Sequence, residues 1–160
     1  GAPAGPVGRA ADGAPVWPAG WLGSITHDRG RALAVLCRAT PTRLAQGRTT
    51  PRLGIDLEDL TRTETARAAA QLCLSPEERD LFATEAAVIG AFSMKEAVFK
   101  AMAPGSAARF WLSEIRLGPC LPPSPRQDAA VWAWQMPALG AAGQVWHWQN
   151  GQHCLSLCHA

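Results

Sequence analysis

Long apolar runs, charged residues and a signal-type amino terminus are scarce or missing in this sequence of 160 residues. No run approaches the ~18 apolar residues that a membrane-spanning helix needs, so the sequence predicts a chain without a membrane span. The segment Gly1–Pro6 has neither Met nor a basic stretch followed by an apolar one, and we expect a fragment or a processed product. Charged residues make up only 18%, while 48% apolar residues are ordinary for one globular domain.

Two further residue types are used sparingly. The five Cys stand at irregular spacings in an odd number, which disfavours a secreted disulfide framework and favours a reducing cytoplasm. Lysine is scarcer, since thirteen of the fifteen basic residues are Arg and the two Lys are Lys95 and Lys100. An ammonium is a compact point charge that suits a phosphate oxygen, so these two positions indicate a phosphate-contacting segment.

Charge is unevenly distributed along the chain, although the net charge is only +2. Residues 1–52 contain seven Arg and two Asp, whereas residues 53–100 contain nine acidic and five basic residues. A basic region beside an acidic one suits a polyanionic ligand bound together with a divalent cation. An ordinary scatter of surface charge explains the same distribution equally well at this level.

Hydrophobic patterning predicts a mixture of strands and helices. The predicted strands lie at 21–27, 32–39, 53–57, 111–117, 129–136, 144–149 and 152–158. The predicted helices lie at 64–73 and 85–102, and a third begins at Ser75. Loops or turns are expected at 1–16, 40–52 and 119–125. Because no βαβ rhythm repeats, the pattern favours the α+β class.

The dipeptide Asn150-Gly151 predicts a tight two-residue hairpin turn. That turn would place Trp146 opposite Leu155 and Trp148 opposite His153 on one large apolar face.

Asp56 and Glu58 stand two residues apart at the end of an apolar strand. Since the side-chain period of a strand is two, both carboxylates are expected on the same face. Two convergent oxygens on a rigid strand form a half-site for Mg²⁺. The competing interpretation is a solvated acidic pair at a strand exit.

Glu96 and Lys100 are one helical turn apart and are expected on one helix face. There they could hold a metal-bound phosphate, with the carboxylate accepting a proton from a hydroxyl. An ordinary helix ion pair, or a capping box from Ser93 to Glu96, would explain the same residues. Thr26 and His27 close an earlier strand with two donors suited to phosphate, although a histidine there is often a plain surface residue.

Three segments carry a resemblance to a known family. WPAGWLGSITH at 17–27, GIDLED at 54–59 and FSMKEAVFKA at 92–101 follow one another in this order. Together they resemble the 4′-phosphopantetheinyl transferases of the surfactin and enterobactin-synthetase type. That family moves the phosphopantetheine arm of coenzyme A to a serine of an acyl or peptidyl carrier protein, using Mg²⁺. The resemblance implies a pseudo-twofold α+β fold with antiparallel sheets and packed helices, in which the first half is incomplete.

The resemblance also assigns roles to residues. Residues 1–52 would be the remnant of the amino-terminal half, and 53–160 the carboxyl-terminal half with the metal-binding and catalytic motifs. The implied Mg²⁺ ligands are Asp56, Glu58 and Glu96. Glu96 would also be the base for the carrier serine, beside Lys100 as the second catalytic residue. The implied coenzyme A contacts are Arg9, Thr26, His27, Lys95 and Lys100. Asp28 departs from the family pattern, and its carboxylate would be unhelpful beside phosphates unless it pointed away.

Other functions remain open at this point. A truncated homologue could bind coenzyme A or carrier protein without turnover, and a Mg²⁺-dependent nuclease could use the same acidic residues. The near-neutral carboxyl-terminal half disfavours a phosphate-tracking surface, so no nucleic-acid partner is expected. The crowding of His and Cys in 147–159 fits no standard zinc spacing, and the Trp-rich strands favour packing over base stacking. We expect a cytoplasmic monomer that serves siderophore or other nonribosomal peptide or polyketide synthesis.

Overall fold

Alternating apolar residues in the carboxyl-terminal half form the main sheet of the computed structural model, which describes residues 5–11, 13–38, 52–103, 110–121 and 128–160. Five antiparallel strands lie in the order β5-β9-β8-β7-β6. Their bounds are Leu53–Asp59 for β5, Arg116–Leu121 for β6, Ala130–Met136 for β7, Ala141–Gln149 for β8 and His153–His159 for β9. The carboxyl-terminal strand β9 therefore lies between β5 and β8 in the sheet.

Three helices follow β5 in the chain. They are α1 (Thr63–Leu72), α2 (Pro76–Leu81) and α3 (Glu85–Met102). The predicted start at Ser75 is confirmed, because Ser75 and Glu78 form a capping box at the beginning of α2. The predicted helix over 85–102 is confirmed at both ends, and the Thr84 side chain caps its first turn. Ser93 is thus a mid-helix residue, so the alternative of a capping box from Ser93 to Glu96 is wrong.

Helix α3 covers one face of the sheet, and the core lies between them. Ile89, Ala97 and Val98 of this helix are fully buried, as are Val145 and Cys158 of the sheet. Within the described residues, no helix is both long enough and apolar enough to cross a membrane.

The amino-terminal region contributes two small antiparallel pairs. β1 (Gly8–Arg9) pairs with β2 (Pro15–Val16), and β3 (Trp21–Asp28) pairs with β4 (Arg31–Arg38). The predicted hairpin over 21–39 is therefore confirmed as far as Arg38, whereas the predicted loop over 1–16 contains a short ribbon. Mixed antiparallel sheets and helices confirm the α+β class.

The segment predicted as a strand at 111–117 is only partly a strand. Residues Leu112–Glu114 form a 3₁₀ turn, and β6 begins at Arg116. The Glu114 side chain accepts a hydrogen bond from Trp111 N at 2.9 Å, which favours a local turn over extension. The turn predicted at 119–125 is also wrong in its first part, because β6 continues to Leu121. Its remainder and the loop predicted at 40–52, except Arg52, lie outside the described residues.

The predicted register of the last hairpin is wrong by two residues. Trp146 pairs with Leu157 and Trp148 with Leu155. The predicted two-residue turn is a four-residue connection over 150–153, in which the side-chain oxygen of Asn150 accepts hydrogen bonds from the backbone N–H groups of residues 152 and 153 and keeps them out of the β8–β9 pairing. A shift of two preserves the face of every side chain, so the tryptophans still share one face with the leucines.

Gly54 allows α3 to approach β5 closely, which gives a prediction about stability. A Cβ at Gly54 would overlap the carbonyl oxygen of Ala97 and lie 2.7 Å from Ala101 N. These are backbone atoms, so Gly54→Ala must displace the helix, and we expect it to lower the unfolding free energy by about 2–3 kcal/mol. Urea denaturation would measure this loss.

The matched control is Gly118→Ala in β6. A Cβ there would meet the Ala133 side chain at 3.4 Å and no atom within 3 Å, so we expect only a small change. Equal losses in the two variants would show that close approach to α3 is not the cause.

Burial of His147 gives a second prediction. Its side chain lies between β8 and α3 with 4% exposure, and burial lowers its pKa from 6.5 to about 4. Between these two values the unfolded chain binds one proton more than the folded protein. Stability contributed by neutral His147 is therefore present above pH 6.5 and lost as the pH falls towards 4, by up to about 3 kcal/mol.

Urea titrations at pH 7 and pH 4.5 on wild type and His147→Gln would measure this difference. We expect acidification to destabilise the wild type relative to the variant, which lacks the titrating ring. The comparison isolates the effect of His147, because the buried carboxylates contribute equally to the pH dependence of the unfolding free energy in both proteins. His27→Gln serves as an exposed control, and parallel pH profiles of wild type and His147→Gln would contradict the prediction.

Candidate active site

Strand β3 lies against the outer edge of β5 through its side chains. The hydroxyls of Ser24 and Thr26 and the carboxylate of Asp28 accept hydrogen bonds of 2.9–3.1 Å from alternate backbone N–H groups of β5. These contacts satisfy donors that an edge strand would otherwise leave open. Asp28 is thereby turned towards the backbone of β5, where Arg62 also contacts it at 3.4 Å.

A cleft of about 320 Å³ opens where β3, β5 and α3 meet. Six residues predicted from the sequence line it: Thr26, His27, Asp56, Glu58, Glu96 and Lys100. The expected common face of Asp56 and Glu58 and the expected common face of Glu96 and Lys100 are both confirmed. A larger groove of about 690 Å³, lined by Arg31, Leu57 and His153 among others, contains none of the predicted site residues.

Asp56 is the most contacted acidic group of the cleft. Its Oδ1 accepts hydrogen bonds from Lys100 Nζ at 2.6 Å and from Thr26 Oγ1 at 3.2 Å. Its Oδ2 is buried and has no hydrogen-bond partner among the described residues. Burial raises the pKa of Asp56, and the nearby Lys100 ammonium opposes this effect. One oxygen is thus held in place while the other stays available.

Glu58 and Glu96 complete an acidic cluster around Asp56. Burial, followed by the charges of Asp56 and Asp28, raises the pKa of Glu58 to about 7. Its Oε2 is also buried without a hydrogen-bond partner among the described residues, and Arg62 lies 3.9 Å from it as an ion pair. Burial and the Asp56 charge raise the pKa of Glu96. Repulsion among these carboxylates favours either protonation or a bound cation.

The donor chemistry of the cleft fits a small hard cation. Two buried carboxylate oxygens without hydrogen-bond partners among the described residues, one each from Asp56 and Glu58, offer the ligand type that Mg²⁺ prefers. Within the described ranges, no group of three or more His, Cys, Asp or Glu side chains is arranged to hold a metal ion by itself. Mg²⁺ commonly takes one or two carboxylates and completes its shell with phosphates and water, so an open site of this kind suits it when a diphosphate is bound.

Lys95 and Arg9 lie outside the cleft. The Lys95 ammonium is fully buried on another side of α3, where it donates to Cys73 O at 2.6 Å and to Glu78 Oε2 at 2.7 Å. Burial lowers the pKa of Lys95, and the ion pair with Glu78 opposes this effect. Arg9 is exposed in the β1–β2 ribbon.

Sequence reasoning missed two features of the site. The first is the contact of Ser24, Thr26 and Asp28 with the backbone of β5. The alternation of these polar residues on one strand face could have indicated it. The second is the contact of Arg62 with Asp28, for which the sequence gives no signal. The two residues are 34 positions apart, and they meet only because β3 lies against β5.

Comparisons with known proteins identify the family of this chain. A sequence model of the 4′-phosphopantetheinyl transferase superfamily matches residues 52–158, and one of the 4′-phosphopantetheinyl transferase N-terminal domain matches residues 1–37. Enterobactin synthase component D of Escherichia coli (strain K12) is 36% identical over 92 residues, covering 54% of this chain and 39% of that protein. The Salmonella typhi protein of the same name is 34% identical over 92 residues, covering 54% of this chain and 34% of its own length.

The matched region is thus a little over a third of the length of these relatives. The superfamily match covers most of the chain and includes both the acidic strand and the helix that carries Glu96. The chain belongs to the 4′-phosphopantetheinyl transferase superfamily.

Proposed function

We propose that this protein transfers the 4′-phosphopantetheine group from coenzyme A to a serine of an apo acyl or peptidyl carrier protein, in a Mg²⁺-dependent reaction. The observation that carries the proposal is one cleft in which Asp56, Glu58, Glu96 and Lys100 converge. Phosphoryl-type transfer needs placement of the reactants, charge neutralisation and a base for the attacking hydroxyl. The four side chains supply groups for each of these needs.

Glu96 is the proposed base. It would accept the proton of the carrier serine as the serine oxygen forms a bond to the phosphorus that bears the pantetheine arm. The bond from that phosphorus to the bridging oxygen breaks, and adenosine 3′,5′-bisphosphate leaves with the bond electrons. The raised pKa of Glu96 makes its carboxylate a better proton acceptor than an exposed glutamate.

Asp56 and Glu58, with Glu96, are the proposed ligands of Mg²⁺. When bound, Mg²⁺ supplies positive charge across the diphosphate as negative charge develops on the leaving oxygen. Lys100 would contribute an ammonium to the same phosphates. Lys100 Nζ donates to Asp56 Oδ1 and Ile55 O, which leaves the third N–H of its ammonium for a substrate oxygen.

The remaining coenzyme A contacts are proposed at the cleft mouth and beyond it. His27 is exposed and can present a ring N–H to a phosphate. The Thr26 hydroxyl already donates to Asp56, so its contact with a phosphate would require that proton to turn. Lys95 and Arg9, proposed from the resemblance alone, would have to act outside this cleft.

We propose a cytoplasmic monomer in which residues 1–52 belong to the amino-terminal half of the fold and 53–160 to the carboxyl-terminal half. We further propose a role in siderophore or other nonribosomal peptide or polyketide synthesis. This pathway assignment is supported by the relatives, whose name makes them components of enterobactin synthase.

Intact-mass spectrometry tests the activity directly. An apo peptidyl carrier protein is incubated with this chain, coenzyme A and Mg²⁺. The expected result is a gain of one phosphopantetheine, which is absent when a chelator is added or when the acceptor serine is replaced by Ala. Coenzyme A binding by calorimetry without any mass gain would overturn the transfer proposal in favour of a non-catalytic binding protein.

A further inference from the structure

A row of buried polar side chains runs across the sheet beneath α3. Asp56 on β5 pairs with Ser156 on β9, and Ser156 pairs with His147 on β8, so the three stand side by side. Ser93 of α3 lies above this row, and both serines are fully buried. The proposed chemistry uses only Asp56 of these residues, so the polar character of the other three needs a separate explanation.

Hydrogen bonds join the row into one chain. Gln149 Nε2 lies 2.8 Å from His147 Nε2, and His147 Nδ1 lies 2.9 Å from Ser156 Oγ. The two serine oxygens are 3.0 Å apart, and Ser93 Oγ lies 3.4 Å from the backbone oxygen of Asp56. The chain therefore connects an exposed residue at the end of β8 to the strand that carries the acidic pair.

The number of available protons fixes which group donates and which accepts at each step of this hydrogen-bonded row. Each hydroxyl has one proton, so Ser93 can donate to Asp56 O only if Ser156 donates to Ser93. Ser156 then accepts from the Nδ1–H of a neutral His147, whose Nε2 accepts from the Gln149 amide. Every group in this arrangement has a partner, and hydrogen bonds aligned in one direction strengthen one another.

The helix makes room for this arrangement at Gly90. A Cβ there would lie 3.0 Å from His147 Nε2. Glycine inside a helix is less favourable than alanine, because it loses more backbone entropy on folding. At position 90 glycine leaves room for the His147 ring, which a larger side chain would push away from α3.

We propose that His147, Ser156 and Ser93 are positioning residues for the proposed metal site. Ser93 contacts the strand that carries Asp56, and it stands three residues before Glu96 on α3. One hydroxyl thus links the two elements whose carboxylates must meet on one cation. Mg²⁺ tolerates little deviation from octahedral geometry, so a small displacement of β5 against α3 weakens binding. This inference rests on the proposed function, because it requires a cation held by Asp56.

Mn²⁺ binding tests the inference without relying on turnover. Free Mn²⁺ is titrated by electron paramagnetic resonance with the whole chain in the presence of coenzyme A, for wild type, Asp56→Asn, Ser156→Ala and Ser93→Ala. We expect about tenfold weaker Mn²⁺ binding in each serine variant, as is typical when groups that orient metal ligands are removed. Coenzyme A binding measured with chelator present should stay within twofold of wild type.

Cys158→Ala is the matched control, because Cys158 is fully buried on the same strand and face as Ser156 but outside the hydrogen-bonded chain. We expect this variant to bind Mn²⁺ as wild type does, even where its thermal stability falls as far as that of Ser156→Ala. An equal loss of Mn²⁺ affinity in Cys158→Ala would overturn the inference, since general core disruption would then be the cause.

Two outcomes separate this inference from the proposed function. If wild type and Asp56→Asn bind Mn²⁺ equally, the proposed metal site fails and the inference fails with it. If Asp56→Asn loses Mn²⁺ binding while Ser156→Ala and Ser93→Ala retain it, the metal site stands and only the positioning role is overturned.

Discussion

Replacing Glu96 with glutamine is expected to lower the turnover of carrier-protein modification by about a thousandfold, within the usual range for loss of a general base. The amide has nearly the same shape as the carboxylate but cannot take the serine proton at neutral pH. It also removes one negative charge from the cluster of Asp56, Glu58 and Glu96. Initial rates from intact-mass spectrometry, with calorimetry of coenzyme A binding, would show the loss in turnover with bound coenzyme A retained.

The control for this prediction lies on the same helix. Glu85 is exposed in the first turn of α3, outside the residues that line the cleft, so Glu85→Gln should leave turnover within twofold of wild type. If Glu96→Gln retained more than a tenth of wild-type turnover, Glu96 would not be the base. The search would then move to Glu58, whose pKa of about 7 also suits proton transfer.

Local periodicity explains why the core of the candidate site could be predicted from the sequence. Asp56 and Glu58 share a face because a strand repeats every two residues, and Glu96 and Lys100 share a face because a helix turns every 3.6 residues. Both relations hold inside single elements, so no tertiary information was needed. The relation between the two elements came from the resemblance to a family, and the structure brings all four side chains to one cleft.

Contacts between distant segments explain what could not be predicted. The register of the last hairpin depends on the side-chain hydrogen bonds of Asn150, which a preference for Asn-Gly turns does not reveal. The contact of Thr26 and Asp28 with the β5 backbone depends on how two sheets meet. Alternation indicated which side chains of β3 share a face, but not that this face would satisfy an open strand edge.

The two lysines are a further case in which the sequence does not reveal the tertiary surroundings of a residue, and this case can be tested. Lys95 and Lys100 occupy one helix and both suggested phosphate contacts, yet their surroundings differ. Lys95 is fully buried against Glu78, whose other oxygen accepts a hydrogen bond from Leu117 N at 2.8 Å. Lys100 lies in the cleft with a side chain 30% exposed. We therefore expect the two positions to fail in different ways when the charge is removed.

Lys95→Met is expected to lower the unfolding free energy by about 3 kcal/mol, because it leaves the buried Glu78 carboxylate with Arg116, at 4.0 Å, as its remaining cation. Adding Glu78→Gln should recover part of this loss, since the buried charge is then gone, but the amide can accept only one of the two backbone N–H groups that Glu78 accepts from Ser75 and Leu117.

Lys100→Met should cost far less stability, because the Lys100 side chain is 30% exposed and water can replace its ammonium beside Asp56. That variant should instead lose about a hundredfold in turnover, since one phosphate-contacting cation is removed.

Chemical denaturation, coenzyme A calorimetry and initial rates from intact-mass spectrometry on all three variants distinguish the two roles of lysine. A Lys95→Met protein with wild-type stability and weakened coenzyme A binding would contradict the structural role and support the contact implied by the family resemblance. A Lys95→Met protein that is unstable, is rescued by Glu78→Gln and then binds coenzyme A normally would assign Lys95 to the fold. In that case, of the two lysines of the chain, the cleft chemistry would use Lys100 alone.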